Sequence, residues 1–311
     1  MKRNRREMSR RAVLGSMGAA AAASLIGPRL ASAALEGVLK KAIPATGELL
    51  PAIGMGSWIT FNVGDDSDLR EARVEVLRAF FDQGGAVIDS SPMYGSSEEV
   101  IGYCLARLDN TQPLFSATKV WTPLQWHGVR QIETSQTLWG TARFDLLQIH
   151  NLLNWEGHLE TLLDWKAQGR VRYIGVTTSH GRRHEDLEKI MAAQPIDFVQ
   201  FTYNVLDREA EQRLLPLAAE RGLAVIVNRP FRRGALFDRF ADRPLPEWAG
   251  ECGCANWAQL FLKFIVSHPA VTCAIPATSR VDHMLENMGA AYGRLPDPNM
   301  RARLIRYIET L

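Results

Sequence analysis

The sequence predicts a (β/α)8 TIM barrel, an α/β fold in which eight parallel strands alternate with helices, preceded by an N-terminal β-hairpin. Eight short segments are nearly continuous in apolar character, as expected of parallel strands that are buried on both faces. Amphipathic segments with helical spacing lie between them, and eight such repeats fit a chain of this length. The alternative is an open doubly wound sheet. Its dinucleotide-binding form is disfavoured because no GxGxxG motif follows the first strand.

The predicted strands are the apolar segments themselves. They lie at residues 49–58, 86–89, 114–120, 145–150, 171–178, 197–201, 223–228 and 271–276. Between them, apolar residues recur at helical spacing, for example at Val74, Leu77 and Phe81. Gly169 and Gly222 are predicted to end helices in the left-handed conformation.

Two segments lie outside the regular repeats. The stretch "KAIPATGELLPAIG" at 41–54 predicts the hairpin, with its turn at Ala45–Glu48, and we expect it to cover the bottom of the barrel. The segment 229–256 is too long for an ordinary connection between a strand and a helix. Because functional loops in barrels extend over the top face, we expect this segment to lie near the functional site.

The first 33 residues have the pattern of an export signal. A basic segment precedes an alanine-rich apolar run, and the small residues Ala31–Ala33 suit a cleavage site. The run is too short for a good membrane span, which needs about 20 apolar residues. The stretch "SRRAVLG" at Ser9–Gly15 resembles a twin-arginine signal. The sequence therefore predicts a signal peptide at 1–33, a mature domain at 34–311, export by the twin-arginine machinery to the periplasm, and no membrane insertion after cleavage.

The charge of the predicted mature chain differs from that of the whole chain. The whole chain carries a net charge of +2. Residues 1–33 hold seven of the basic residues and one acidic residue, which leaves 29 basic and 33 acidic residues and a net charge of −4. A mildly acidic body gives no electrostatic reason to expect nucleic acid. We expect no nucleic-acid partner and a monomer.

The four cysteines do not have the spacing of a zinc site. Cys252 and Cys254 flank a single glycine, and a disulfide across so short a loop would be strained. The sequence leaves open whether this pair consists of two ordinary thiols or of a strained disulfide, which an oxidising compartment would permit.

Polar residues stand where the second, third and fourth predicted strands end. Asp89 ends the second strand, Tyr94 follows it on the loop, and Lys119 and His150 end the next two strands. Because catalytic residues of a barrel lie at the carboxyl ends of its strands, we expect these four side chains to meet at one mouth. Each residue alone has an ordinary structural alternative, as Asp89 has in capping a helix, so the prediction depends on all four together.

The four side chains suit the protonation of an alkoxide. Tyrosine has an ordinary pKa of about 10, and a nearby ammonium lowers it by stabilising the phenolate. Lys119 can supply that charge, with Asp89 holding it as an ion pair, and His150 can donate a hydrogen bond to a substrate oxygen. The set therefore favours the reduction of a carbonyl that receives a hydride.

Four stretches in order along the chain resemble the aldo-keto reductase family: "GGAVIDSSPMYGSSEEVIG", "SATKVW", "DLLQIHN" and "AIPATSRVDHMLENM". The resemblance covers essentially the whole mature chain. It implies that Tyr94 is the general acid, that Lys119 and Asp89 tune it, and that His150 orients the carbonyl. It also implies a nicotinamide dinucleotide bound in an extended form across the barrel top, NADP being expected and NAD being the alternative.

The resemblance also implies a set of cofactor-binding residues. Thr177 and Thr178 stand where the family holds the nicotinamide amide, and Gln200 matches the family's glutamine at that site. For the pyrophosphate, the stretch "NRPFRRGAL" supplies Arg229, Pro230 and Phe231, with Arg232 or Arg233 as a further contact. The residues implied at the adenosine end are Thr278, Arg280, Glu286 and Asn287. A 2′-phosphate needs a cation, and Arg280 is the best candidate for it.

The sequence is compatible with two functions. The first is an NAD(P)H-dependent oxidoreductase that reduces an aldehyde or ketone. The second is an exported cofactor- or partner-binding protein on the same scaffold, with weak or no turnover, because the family includes regulatory subunits. The intact set of four polar residues favours the enzyme. Apolar pockets favour aromatic residues, and we expect about half of four tryptophans to face a small carbonyl substrate. They are Trp58, Trp121, Trp126 and Trp155.

Overall fold

The structure is a computed structural model that describes residues 37–310 of the chain. It begins with the predicted hairpin, in which β1 (Lys40–Ala42) pairs antiparallel with β2 (Leu49–Pro51). Gly47 completes the turn with a φ of 76°, a conformation that favours glycine. The hairpin is therefore confirmed, whereas the predicted signal peptide at 1–33 lies outside the described residues.

Eight parallel strands form the barrel, and each pairs with the next along the chain. They are β3 (Met55–Gly56), β4 (Val87–Asp89), β5 (Phe115–Val120), β6 (Leu146–Ile149), β7 (Tyr173–Thr177), β8 (Phe198–Thr202), β9 (Ala224–Asn228) and β10 (Cys273–Ala274). Parallel bridges from Ile53 to Ala274 and from Gly56 to Ala277 join the last strand to the first. The predicted (β/α)8 barrel is confirmed.

The first predicted strand is divided in the structure. Of residues 49–58, Leu49–Pro51 belongs to the hairpin and only Met55–Gly56 pairs with β4. The intervening residues Ala52 and Ile53 are fully buried as well, so the apolar run continues through the point where the chain changes partner. Hydrophobicity alone therefore does not show that boundary.

Helices connect the strands and surround them. They are α1 (Ser67–Asp82), α2 (Ser97–Leu105), α3 (Gln125–Trp139), α4 (Trp155–Ala167), α5 (His184–Ala193), α6 (Leu214–Arg221), α7 (Ala235–Phe240), α8 (Trp257–Val266), α9 (Val281–Gly289) and α10 (Pro298–Glu309). Asp66 begins α1 by accepting a hydrogen bond from the backbone N–H of Leu69 at 2.9 Å. Gly169 and Gly222 adopt φ values of 73° and 65° at helix ends, as predicted. Between residues 37 and 310, no helix is long and apolar enough to cross a membrane.

The lower half of the barrel interior is apolar. At the amino ends of the strands, Ile43 and Leu50 of the hairpin pack with Phe115, Tyr173 and Phe198. The hairpin therefore covers the bottom of the barrel, as expected. The core continues outside the strands, between the barrel and its helices.

Toward the carboxyl ends of the strands the interior becomes polar. Asp89, Lys119, Gln148 and Gln200 are each at most 2% exposed there. Buried polar groups of this kind are tolerated where they have hydrogen-bond partners. Their contacts position the candidate site at the top of the barrel.

Candidate active site

Asp89 and Lys119 form a buried ion pair at the centre of the barrel top. The ammonium Nζ of Lys119 donates to Asp89 Oδ2 at 2.5 Å and to the backbone carbonyl of Ser90 at 2.7 Å. Burial is the largest single effect and opposes the charge on Lys119, but the Asp89 carboxylate and the Tyr94 phenol together outweigh it and raise the pKa of the lysine. Lys119 is therefore a cation held in one place.

The second oxygen of Asp89 is fixed by two amides. Gln148 Nε2 donates to Asp89 Oδ1 at 2.9 Å, and Gln200 Nε2 donates to the same oxygen at 3.0 Å. Both carboxylate oxygens thus have partners, as a buried charge requires. Gln200 is where the sequence placed it, but it contacts Asp89 as well as lining the mouth of the barrel.

Tyr94 lies on the loop that follows β4, against both His150 and Lys119. Its ring meets the imidazole of His150 edge-on, with 5.7 Å between ring centres, and the ammonium of Lys119 lies 5.2 Å from the tyrosine ring centre. Gly95 follows with a φ of 61°, and a Cβ there would lie 2.3 Å from the side chain of Asn62. Glycine is therefore required for the turn that holds Tyr94.

The pKa of Tyr94 differs from the sequence-based expectation. Burial raises the pKa of the phenol, and this effect outweighs the opposing charge of Lys119. The expectation that the lysine produces a net lowering is therefore not met by the structure. The expectation neglected the desolvation of the phenol, which is the largest effect on its pKa.

His150 is buried and hydrogen-bonded through one ring nitrogen. Its Nδ1 lies 2.9 Å from the hydroxyl Oγ of Ser91. Burial, with a further contribution from the positive charge of Lys119, lowers the pKa of His150 to about 2. The imidazole is therefore neutral, and when the Ser91 hydroxyl donates to Nδ1, the proton resides on Nε2.

An open cleft of about 660 Å³ lies above these residues. Asp89, Tyr94 and His150 line it, whereas Lys119 is fully buried beneath its floor. Trp58 also lines the cleft. The other three candidate tryptophans do not line it, so fewer than the expected half face this space. In the range 37–310, no group of three potential metal ligands is present.

The predicted threonines lie at the top of β7. Thr177 Oγ1 accepts a hydrogen bond from the backbone N–H of Asn151 at 3.1 Å, and the Thr178 N–H donates to the Gln200 carbonyl at 2.8 Å. The side-chain amide of Asn228 donates to the Thr178 carbonyl, also at 2.8 Å. Thr177, Thr178 and Gln200 are thus brought together on one wall of the cleft.

The segment after β9 forms another wall of the cleft. Arg229, Pro230 and Phe231 line it, as the sequence predicted for the pyrophosphate end. The guanidinium of Arg233 lies over the ring of Trp58 at 4.0 Å from its centre, while Arg232 is turned away into an ion pair with Asp207 at 3.1 Å. Of the two arginines left open by the sequence, Arg233 is the one that lines the cleft.

Two further arginines and a histidine from the loop after β7 join this wall. His180, Arg182 and Arg183 line the cleft together with Arg229 and Arg233. Burial lowers the pKa of His180, and the positive charge of Arg229 is the next contribution. The cleft is therefore strongly electropositive, which suits an anionic occupant.

The residues predicted for the adenosine end do not line the cleft. Thr278 Oγ1 accepts from the Arg280 N–H at 3.2 Å at the start of α9, and Asn287 is buried on that helix. The side chain of Arg280 is exposed and pairs through both Nε and Nη2 with the carboxylate of Asp282. The structure therefore does not bring Thr278, Arg280, Glu286 and Asn287 onto the lining of this cleft, and it occupies Arg280 with a local partner.

Comparison with protein families matches residues 52–302 to the model described as the aldo/keto reductase family. The chain belongs to this family. It is an NAD(P)H-dependent aldo-keto reductase by that membership, in agreement with the fold and with the resemblance of its motifs.

Curated relatives are similar to this aldo-keto reductase over most of its length. Methylglyoxal reductase YeaE of Escherichia coli K12 is 27% identical over 258 residues, which are 80% of this chain and 88% of that protein. Aldo-keto reductase str7 of Strobilurus tenacellus is 26% identical over 300 residues, covering 82% of this chain and 88% of that protein.

Solved structures of the family superpose on this aldo-keto reductase. An aldo/keto reductase from Klebsiella pneumoniae in complex with NADP and acetate has a TM-score of 0.73 at 26% identity, covering 87% of this chain and 95% of that one. The thermostable aldo-keto reductase Tm1743, in complex with the inhibitor epalrestat, has a TM-score of 0.72 at 29% identity, covering 86% and 99%.

Sequence reasoning missed several residues of this aldo-keto reductase site. Gln148 precedes His150 by two positions, and the two-residue period of a strand places both on the same face, which was a usable signal. Asn228 ends β9, just as Asp89 ends β4. The contact between Ser91 and His150 had no such signal because it depends on the path of the loop.

Proposed function

We propose that this protein reduces an aldehyde or a ketone to an alcohol, with NADPH as the hydride donor and Tyr94 as the general acid. The observation that carries the proposal is the arrangement of Tyr94 between a buried cation, Lys119, and a neutral imidazole, His150, at the mouth of one cleft. These are the groups that protonation of a carbonyl oxygen requires.

Two unpaired buried atoms support a dinucleotide in the cleft. Within the described part of the chain, Thr178 Oγ1 and Arg229 Nε are buried without a hydrogen-bond partner, and both residues line the cleft. An unsatisfied buried polar group costs about 1–3 kcal/mol. By the family resemblance, Thr178 lies at the nicotinamide amide and Arg229 at the pyrophosphate, so a bound dinucleotide would give both atoms a partner. The residues present therefore fit the cofactor.

The bound cofactor would supply a hydride to the carbonyl carbon. The protein's own residues manage the proton. Because burial raises its pKa, the Tyr94 phenol remains protonated at neutral pH and can donate to the carbonyl oxygen. The phenolate left behind is stabilised by the Lys119 ammonium, which Asp89 keeps charged and in place.

His150 directs the carbonyl oxygen toward Tyr94. A neutral imidazole whose Nδ1 accepts a hydrogen bond from Ser91 carries its proton on Nε2. That N–H can donate a hydrogen bond to the carbonyl oxygen. This donor and the phenol together would hold the oxygen at the position where negative charge develops.

The proposed preference is for NADP, as bound by the related Klebsiella pneumoniae structure. In this chain Arg280 is the candidate for the 2′-phosphate, provided that it exchanges its partner Asp282 for the ligand. Exposed ion pairs contribute little to stability, so this exchange is energetically accessible. NAD remains the alternative if the pair persists.

We also propose that residues 1–33 direct export and that the mature chain acts in the periplasm. The support is the basic segment, the short apolar run and the paired Arg10 and Arg11 in the sequence. Cell fractionation of the full chain and of an Arg10→Lys/Arg11→Lys variant tests it. Periplasmic wild type with a retained variant supports export, whereas identical distributions contradict it.

The proposed function is tested by fluorescence titration of residues 34–311 with NADPH and NADH, followed by loss of NADPH absorbance with a panel of aldehydes and ketones. Binding with carbonyl-dependent turnover supports the reductase. Binding without turnover on any carbonyl of the panel favours a cofactor-binding protein instead. Absence of binding to either cofactor refutes both.

A further inference from the structure

Cys252 and Cys254 lie together in the long segment after β9. Their sulfur atoms are 3.4 Å apart, and both side chains are free thiols and buried. Gly253 between them has a φ of 67°, and this turn brings the two sulfurs to the same side of the backbone. In the structure the pair consists of two thiols in contact, without a bond between the sulfurs.

A buried lysine lies beside this pair. Nζ of Lys263 on α8 donates to the Cys252 carbonyl at 2.5 Å and to the Tyr292 carbonyl at 2.7 Å. Lys263 is 1% exposed, and across residues 37–310 it has no carboxylate partner among the ion pairs. A thiolate at Cys252 would therefore place a negative charge near an otherwise uncompensated cation.

The two thiols are not equivalent. The hydrogen bond from Cys254, assisted by the charge of Lys263, lowers the pKa of Cys252, and the same hydrogen bond raises the pKa of Cys254. Cys252 therefore ionises more readily than Cys254, which keeps its proton. This division is the one expected of an attacking sulfur and its resolving partner.

The position of the pair in the fold favours a small oxidant over a protein partner. The flanking residues Glu251, Gly253 and Ala255 are exposed, so the segment that carries the two thiols lies at the surface. The other two cysteines are in different settings, with Cys104 on α2 and Cys273 in β10, and burial raises the pKa of both. Reactivity is therefore expected at the pair alone.

We propose that Cys252 and Cys254 form a redox-active dithiol that a hydroperoxide converts reversibly into an intramolecular disulfide. The Cys252 thiolate attacks the peroxide O–O bond, so that an S–O bond forms and hydroxide or alkoxide leaves. The sulfur of Cys254 then attacks the oxidised sulfur of Cys252, the S–S bond forms, and the hydroxyl group leaves with the Cys254 proton as water. Two thiols are oxidised and one peroxide is reduced.

The short loop makes the bridge easy to reduce. The sulfurs must approach from 3.4 Å to about 2.05 Å, the length of a disulfide, across a single glycine. Lys263 donates to the Cys252 carbonyl and so ties the backbone of the pair to α8. Strained disulfides are more oxidising and more readily reduced, and a dithiol reductant is expected to restore the pair.

The experiment uses the fully reduced mature protein, exposed briefly to hydrogen peroxide, alkylated and mapped by mass spectrometry. We expect a peptide that contains Cys252 and Cys254, lacks two hydrogens and resists alkylation, formed at least about tenfold faster than any oxidation of Cys104 or Cys273. Dithiothreitol should reverse it. In Cys254→Ser, dimedone should trap a sulfenic acid on Cys252.

Three results would overturn the proposal. The first is full alkylation of both cysteines after peroxide. The second is oxidation of Cys252 in the wild type that stops at sulfinic acid. The third is oxidation of Cys273 at the same rate as the pair. Because the wild-type protein gives the main result, a folding defect in the serine variant does not affect the decision. The outcome is also independent of cofactor binding and carbonyl turnover.

Discussion

Replacing Lys119 by methionine removes the ammonium that lies 5.2 Å from the centre of the Tyr94 ring. With an effective dielectric constant of about 20, a unit charge at that distance stabilises the developing phenolate by about 3 kcal/mol. A loss of this size corresponds to a decrease in kcat of roughly 200-fold. The volume of the side chain is largely retained, so the change is one of charge.

The same substitution leaves the Asp89 carboxylate buried without its cation. Gln148 and Gln200 still donate to one oxygen, but removing one partner of a buried pair costs about 3–5 kcal/mol of stability. The double variant Asp89→Asn/Lys119→Met removes both charges. It should therefore recover much of the lost stability, measured by urea unfolding, while kcat stays low.

The assay is the steady-state oxidation of NADPH with one saturating aldehyde, together with the dissociation constant for NADPH. Cofactor affinity should change little because Lys119 does not line the cleft. A double variant that is as active as the wild type would refute the role of the charge. A single variant that loses affinity in proportion to kcat would instead place Lys119 in binding.

Three further predictions concern neighbouring groups. Ser91→Ala should lower kcat roughly fivefold, equivalent to the ~1 kcal/mol of one hydrogen bond, by freeing the His150 ring. The control Ser116→Ala removes a buried hydroxyl near the amino end of β5, away from the site, and should leave kcat unchanged. Arg229→Ala should weaken NADPH binding by roughly tenfold or more in a fluorescence titration, because charge-assisted hydrogen bonds contribute ~1.5–3 kcal/mol, and unchanged affinity would contradict its placement. In a pH profile, kcat for reduction should stay flat between about pH 5 and 8 and fall only in alkaline solution. The reason is that the pKa of His150 is lowered to about 2 and the pKa of Tyr94 is raised, so neither group titrates in that range. A transition near the ordinary histidine pKa would contradict this.

The barrel was predictable because its signal is distributed over the whole chain. Buried parallel strands are apolar throughout, and the helices between them repeat at a different period. The prediction failed at 49–58, where Leu49–Pro51 serves the hairpin and Met55–Gly56 serves the barrel. Leu50 and Met55 are both buried, and burial is the property that hydrophobicity reports.

The candidate catalytic side chains were predictable because strand ends have a fixed place in the fold. Asp89, Lys119 and His150 were found in this way, and the structure brings them to one mouth together with Tyr94. The direction of the Tyr94 pKa was not predictable, since it depends on how deeply the ring is buried. Sequence spacing shows which charges are near but not how much water is excluded.

The wall of the cleft that follows β9 was predicted only in part because it is built from loops. Arg229 was found in its loop, but the choice between Arg232 and Arg233 depends on which turns toward Asp207 and which toward Trp58. Both arginines adopt positive φ values, a backbone feature that an arginine residue does not signal.

The measurement that tests the central claim most directly is a comparison of wild type and Tyr94→Phe with NADPH and one reactive aldehyde. We predict that both proteins bind NADPH with similar affinity, because the substitution removes only the phenolic hydroxyl. Turnover of the variant should fall by roughly 10²–10⁴-fold, as expected for loss of a general acid. A variant that retains wild-type turnover would show that the proton comes from another group and would contradict the proposed function of the site.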